Sequence, residues 1–488
     1  MADSPSTNPN DHPASSDPAS HVRVVKPRRR FRQFGLRTLL ILMALFAAAF
    51  AWYSNQIGPY KRQAVAIEKL EARGVRIKFV DHEPSWFQRL ATGVRVGHVA
   101  GVWLFQDRNG KSLQLTDQDY GYLDDLLDVD FLALSGIATP TKRQLSHVWK
   151  LRSLRMLELQ NADITDELLV GIANLQSLEF LALADTQITD AGLRDLSQLP
   201  RLFSLDLRDT EITGSGLTAL RNARELRVLD LSRTHIDDAA LAPLRALTTL
   251  QELRLTQTRI TDRGLAHFDD LEHLVELDLS DTLVQGPGLA HLKNAVGLSE
   301  LDLSFAPFEG ASLVHVTHCE LLSRLDLVQT HVRDEDLIHL RGMKSLESLD
   351  LSATNVEGTG LSHLSDLPEL ESLRLDGAPL EDSQLVSISR LPSLRYLYLN
   401  QTGFGDIGAK RLIETCPAIE ELELNGTYVT AAGIRTVCTL PHLTGLLLMD
   451  VQVTAEEVIE LEKSIGWAIR PRDAYENGRL RKLRRHSP

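Results

Sequence analysis

An α/β solenoid is the fold class the sequence predicts, and three observations predict it. A Leu-x-Leu pair recurs every 24 residues from Leu157 to Leu397, returns at Leu422 after one inserted residue and again at Leu446, and has a weaker copy at Leu132. Each copy reads LxxLxLxxTxITDxGLxxLxxL, in which apolar residues alternate at the front, as in a half-buried strand, and follow helical spacing behind. The chain is 43% hydrophobic but only 6% aromatic, which suits stacked leucine layers better than one globular aromatic core. The expectation is a horseshoe of about 14 24-residue β-α units, with a parallel concave sheet, convex helices and an N-terminal transmembrane helix.

Residues 1–35 open on Ser, Pro, Asp and Asn with little to bury, which predicts a disordered tail. The tail then turns basic: Arg23, Lys26, Arg28, Arg29, Arg30, Arg32 and Arg37 precede the apolar run from Leu39 to Tyr53. Residues 36–57 predict a membrane anchor of about 20 residues, with Trp52 and Tyr53 at the interface and Arg37 snorkelling. Two alternatives stand beside it. Ala49-Phe50-Ala51 could serve as a cleavage site for a signal peptide, and Arg29-Arg30-Phe31 faintly resembles a twin-arginine signal. The basic excess before the span predicts a cytoplasmic N-terminus, with everything after residue 57 outside.

Residues 58–130 form the expected juxtamembrane and capping region. YKRQAVAIEKLEARG reads as a helix stopped by Gly74, VRIKF as a strand, and the apolar runs on either side of Asn109-Gly110 as a hairpin. Trp86, Trp103 and Trp149 lie here or at the first repeat, and no Trp falls between Leu151 and Gly466. Such bulk suits a cap for the open end of the solenoid.

Within the repeats, residues 131–466, both leucines of the pair enter the core and their neighbours line the opposite face of a short strand. Thr stands five places after the first Leu in most units, as at Thr186, Thr282 and Thr427, where its hydroxyl would satisfy turning backbone. Thr-Asp, as in Ile188-Thr189-Asp190, would cap the helix of its own unit. Gly192, Gly216, Gly264, Gly288, Gly360 and Gly408 would let that helix pack closely on the strand layer. Strands about 4.8 Å apart would give a concave face roughly 65 Å long.

The period and the LxL layer resemble those of leucine-rich repeat proteins of the ribonuclease-inhibitor-like class, and are most similar to bacterial repeat proteins with an N-terminal membrane anchor. The resemblance implies a binding scaffold.

The net charge of −14 is uneven: residues 1–37 carry +4 and residues 470–488, within a basic C-terminal tail expected over 467–488, carry +5, leaving −23 between. An acidic body of this kind argues against nucleic acid as a partner. Cys319, Cys416 and Cys438 are too few and scattered for a disulfide framework, with Cys438 expected to be the exposed one. No catalytic motif is present, Gly110-Lys111-Ser112 being only the tail of a phosphate loop. No enzymatic activity, cofactor, metal or small-molecule substrate is expected.

Candidate binding residues lie on the concave face. An acidic column stands one residue after the first Leu, at Glu158, Asp206, Asp230, Asp278, Asp302, Asp326, Asp350 and Glu423, and a second line runs through Glu252, Glu276 and Glu300, with Asp281 nearby. Stacked like charges repel, so a basic partner would be steered to them. Tyr396 and Tyr398 share this face with Arg374, a residue combination common in hot spots. His267, His291, His315, His339 and His363 fall in one register on the convex side, where helix spacing is too wide for them to share a metal. His315, His318 and Cys319 have helical spacing, with Cys319 at a core position. The expected function is binding of a protein partner through the concave face, with an adhesive or structural role on polysaccharide or neighbouring cells as the alternative.

Overall fold

The computed structural model describes residues 36–79, 98–104, 113–136, 140–384, 391–454, 456–457, 460–461, 468–469, 475–476, 479–480 and 482–484. Trp86 and Asn109-Gly110 lie outside these. The chain divides into two compact units, residues 1–58 and 59–488.

A single 37-residue helix runs Leu36–Ala72. It is longer than the expected span because Pro59 does not stop it; proline's φ is helical and its ring removes only one backbone hydrogen bond. Leu39–Tyr53 is exposed throughout, and by length and composition this helix could cross a membrane. Beyond Pro59, in the second unit, Gln63, Ala66, Ile67 and Leu70 are buried at helical spacing. Gly74, at φ 94°, turns the chain into the strand Arg76–Phe79.

That strand pairs antiparallel with Val99–Trp103, whose other edge pairs in parallel with Phe131–Ala133. The expected second arm of a hairpin is therefore not a strand. Both edges of Val99–Trp103 are taken, and Leu113–Leu115 runs irregularly into a helix at Asp117–Gly121. Asp119, almost fully buried, closes this cap: it accepts from Thr116 N and Oγ1 and pairs with Arg73 at 3.0 Å.

From Phe131–Ala133 the sheet proceeds one strand per unit, in parallel and in register, to Gly445–Leu447. In each strand the central Leu is buried, from Leu157 to Leu446, while the residues on either side face away from the core. The far edge is closed by Lys482–Arg484, which pairs antiparallel with Gly445–Leu447, so this part of the basic tail is an added strand rather than a solvated one.

The convex elements differ from expectation in kind. Most are 3-10 helices, such as Pro287–Leu292 and Gly310–Val316; α-helix occurs at Lys142–Val148, Asp406–Thr415 and Ala431–Val437 and as a single turn at Leu193–Leu196. A 3-10 helix rises about 2.0 Å per residue against about 1.5 Å for an α-helix, so fewer residues span the same length. The two units that are 25 residues long, Leu132 to Leu157 and Leu397 to Leu422, both hold α-helices, consistent with that economy of length.

Two details of the repeat grammar are corrected. Of the Thr-Asp pair it is the threonine that bonds locally, Thr189 Oγ1 accepting from Ala191 N, as Thr430 Oγ1 at the same place accepts from Ala432 N, while Asp190 does not cap the helix of its own unit. Its carboxylate accepts from Thr213 N and Oγ1, Gly214 N and Ser215 Oγ, all in the next unit. Burial alone would raise the Asp190 carboxyl, but these hydrogen bonds and one from the Gly216 backbone hold it below the usual carboxylate range. Asp166, Asp238, Asp262, Asp334, Asp382 and Asp406 reach forward in the same way. The close approach that requires glycine is accordingly to this aspartate rather than to the strand layer. A Cβ on Gly288 would lie 2.7 Å from the Asp262 Cα and backbone oxygen.

Candidate functional site

The face of the sheet turned away from the leucine layer is built from two side chains per strand, one before and one after the buried Leu. The parallel register stacks them into two columns. One runs Phe131, Met156, Phe180, Ser204, Val228, Glu252, Glu276, Glu300, Arg324, Ser348, Ser372, Tyr396 and Glu421. The other runs Ala133, Glu158, Ala182, Asp206, Asp230, Arg254, Asp278, Asp302, Asp326, Asp350, Arg374, Tyr398 and Glu423. The candidate residues thus share one face, except Asp281, which lies beyond the strand end at φ 53°. There it accepts from Gln257 Nε2 at 2.8 Å, in a ladder that Arg233 extends to Asp209.

The columns are sorted by chemistry. At the N-terminal end they are mostly apolar, Glu158 being the exception: the Trp103 and Phe131 rings are 4.9 Å apart, Met156 follows in register, and the Phe180 and Phe203 rings are 5.5 Å apart. The Arg227 guanidinium lies 5.3 Å from the Phe203 ring. Sequence reasoning missed this stretch, although its signal was present: Phe131, Met156 and Phe180 hold the place that Ser, Glu or Arg occupies in most later units.

The acidic middle is less uniform than the sequence implies. Arg208 bridges Asp206 at 2.8 Å and Asp230 at 3.3 Å; Arg254 bridges Glu276 at 2.7 Å and Glu252 at 3.2 Å. At the other end Arg374 approaches Asp350 at 3.7 Å. Between these arginines lie Asp278, Asp302 and Asp326, where the only cation on the face is Arg324, 3.4 Å from Glu300. Leu-Asp-Leu-Ser supplies its own relief: Ser280 N and Oγ donate to Asp278, Ser304 N to Asp302, and Ser352 N to Asp350. Asp326 has Val328 in place of that serine, and among the described residues no hydrogen bond reaches its carboxylate. Burial, with Asp302 and Asp350 on either side, pushes the Asp326 carboxyl up to about 6 against the pull of Arg324 and Arg374. Burial likewise raises Asp302 and Asp230. The densest stretch is a depression of about 190 Å³ lined by Glu276, Asp278, Glu300, Asp302, Arg324 and Asp326.

Tyr396 and Tyr398 come together with Arg374 as expected. The Arg374 guanidinium stacks 4.2 Å from the Tyr398 ring, while Arg395 sits 5.6 Å from the Tyr396 ring and pairs with Glu420 at 2.8 Å. Both tyrosines are half-buried, each with a guanidinium within cation–π reach of its ring.

A family model described as a leucine-rich repeat region matches residues 125–464. The chain is a leucine-rich repeat protein. No curated protein sequence matches it. Among solved structures it is similar to an internalin from Listeria monocytogenes, at TM-score 0.52 and 24% identity, over 66% of this chain and 87% of that one. It is also similar to a leucine-rich repeat protein from Leptospira interrogans, at TM-score 0.52 and 19% identity, over 72% of this chain and 90% of that one. Both are likenesses of fold.

On the convex side of this leucine-rich repeat protein, His291 Nδ1 lies 3.2 Å from Asp269 Oδ1, and among the described residues no group of His, Cys, Asp or Glu is arranged to hold a metal. Cys319 and Cys416 are buried. Cys438 is not the exposed thiol the sequence suggested: it packs half-buried against the core, which pushes its pKa up to about 12.

Proposed function

We propose that this leucine-rich repeat protein is held in a membrane by the apolar helix that begins at Leu36, with its basic N-terminus cytoplasmic and its repeats outside. There the concave face binds a protein partner, without turnover. The observation that carries this reading is the sorting of the sheet face: apolar at one end, acidic in the middle, Tyr and Arg beyond, on a surface that no other described part of the chain covers. A scaffold needs only buried leucines inside; a random surface would not segregate what it shows outside.

The experiment is site-specific photo-crosslinking on cells. A crosslinker at Ser348 or Ser372, small residues between the acidic stretch and the tyrosines, is expected to trap one discrete protein. Pairing it with Tyr398→Ala should reduce the yield several-fold. Crosslinks confined to residues of the convex side would overturn the concave-face reading. Retention of the cells' wall polymer on the purified chain, unchanged by Tyr398→Ala, would favour the adhesive envelope role instead.

A further inference from the structure

We infer that the docking site for the partner spans the strands Glu276–Asp278, Glu300–Asp302 and Arg324–Asp326, and that its occupant is a peptide segment with a lysine- or arginine-rich centre bracketed on both sides by apolar side chains. This rests on the concave-face reading and adds the occupant's chemistry and direction to it.

Two features coincide at these strands. The first is charge: five carboxylates and one guanidinium line the depression, and Asp326 in its wall lacks the serine donor its neighbours have. A cation entering there meets carboxylates already partly removed from water, where its attraction is stronger than at an open surface. The second is apolar exposure at both edges of the same strands. On the edge where the strands begin stand Val275, Val296 and Leu321, which are 40%, 62% and 58% exposed. On the edge where they end stand Leu283 and Phe305, 52% and 53% exposed.

Phe305 occupies a telling position. Its place in the repeat is left-handed in every neighbouring unit, and Asp209, Arg233, Gln257 and Asp281 use it for a hydrogen-bonded ladder. An aromatic residue gains nothing from that backbone, at φ 63°, and its ring is left in solvent. Apolar side chains at both strand ends and carboxylates between them match a segment that runs parallel to the strands from edge to edge. A uniformly basic segment lying along the solenoid would leave both apolar edges uncovered.

The test uses the full chain in nanodiscs and three synthetic peptides of equal length: leucines on both sides of a Lys/Arg centre, the same residues with all leucines at one end, and lysine alone. The bracketed peptide is expected to bind about tenfold tighter than either of the others. Phe305→Ser should remove most of that advantage while leaving the salt dependence unchanged; Asp302→Asn with Asp326→Asn should flatten the salt dependence. A single cooperative melting transition, no lower than that of the unaltered chain, verifies the fold of both variants. Equal affinity for all three peptides, or indifference to Phe305→Ser, overturns the edge-to-edge site and leaves the concave-face reading standing. Failure of every peptide to bind, with crosslinking from Ser348 intact, overturns the basic occupant alone; loss of both signals overturns the concave-face reading as well.

Discussion

Thr282 and Phe305 mark the two extremes of what a single residue does in this repeat. The Thr282 hydroxyl donates to the Leu279 carbonyl at 2.6 Å, and the same bond recurs from Thr186 to Thr427. Thr282→Val keeps the shape and strands a buried carbonyl, so it should lower the unfolding free energy by about 1–2 kcal/mol, read from urea denaturation. Phe305→Asn should do the opposite. Asn tolerates the left-handed region, and a gain of about 0.5–1 kcal/mol is expected in the same assay. Destabilisation by that change would mean that the ring packs on its own scaffold instead of waiting for a partner. The threonines were legible because one letter recurs at one place. The left-handed position was not, since Asn161, Arg233, Phe305 and Ala353 all occupy it and the glycines that would signal it appear at Gly136, Gly377 and Gly426, far from the middle of the array.

At the scale of an element, each convex turn depends on the unit before it. Asp262 accepts from the backbone of Gln285, Gly286 and Gly288 at 3.0, 2.9 and 2.7 Å. Asp262→Ala should cost about 1–3 kcal/mol, and Gly288→Ala should cost a similar amount by pressing on the same aspartate, with the double variant less than additive in a denaturation cycle. This coupling was invisible beforehand for a plain reason. In a sequence that repeats every 24 residues, a partner in the same unit and its counterpart in the next look identical. The acidic strands carry the contrasting sign with pH. Asp326 binds its proton more tightly folded than unfolded, with a folded pKa of about 6. Between that value and the ordinary carboxylate range near 4, the folded state holds more protons than the unfolded one. Stability from this group therefore falls as pH rises through 6. The wild-type melting temperature should climb as pH is lowered from 7 to 5, and Asp326→Asn should raise it at pH 7 and flatten the climb. A wild-type curve falling over that interval while the Asn variant's stays level would show that the carboxylate is stabilised by contacts it lacks here.

For the molecule as a whole, the chain supplies a clean test of the topology proposed above. Its native thiols make a low background: Cys319 and Cys416 are buried, and burial raises all three thiols above their ordinary pKa. A cysteine placed at Gln257, on the exposed ladder beyond the strands, should react in intact cells with a maleimide that cannot cross membranes. One placed at Ser15, in the tail before the basic cluster, should react only after the cells are permeabilised. The reasoning is the charge asymmetry: Arg23 to Arg37 crowd one side of the apolar run, while only Lys61, Arg62 and Lys69 follow it closely. The helix adds a second consideration: Gln63, Ala66, Ile67 and Leu70 pack in the second unit, so the proposed anchor is confined to the portion before Pro59. Labelling of Ser15→Cys but not Gln257→Cys in intact cells would invert the topology and make the acidic face a cytoplasmic surface. Labelling of Gln257→Cys together with release of the chain into the medium would identify the apolar run as a cleaved signal. Labelling of Gln257→Cys on a chain that stays with the cells places the acidic face where a basic partner outside the membrane can reach it.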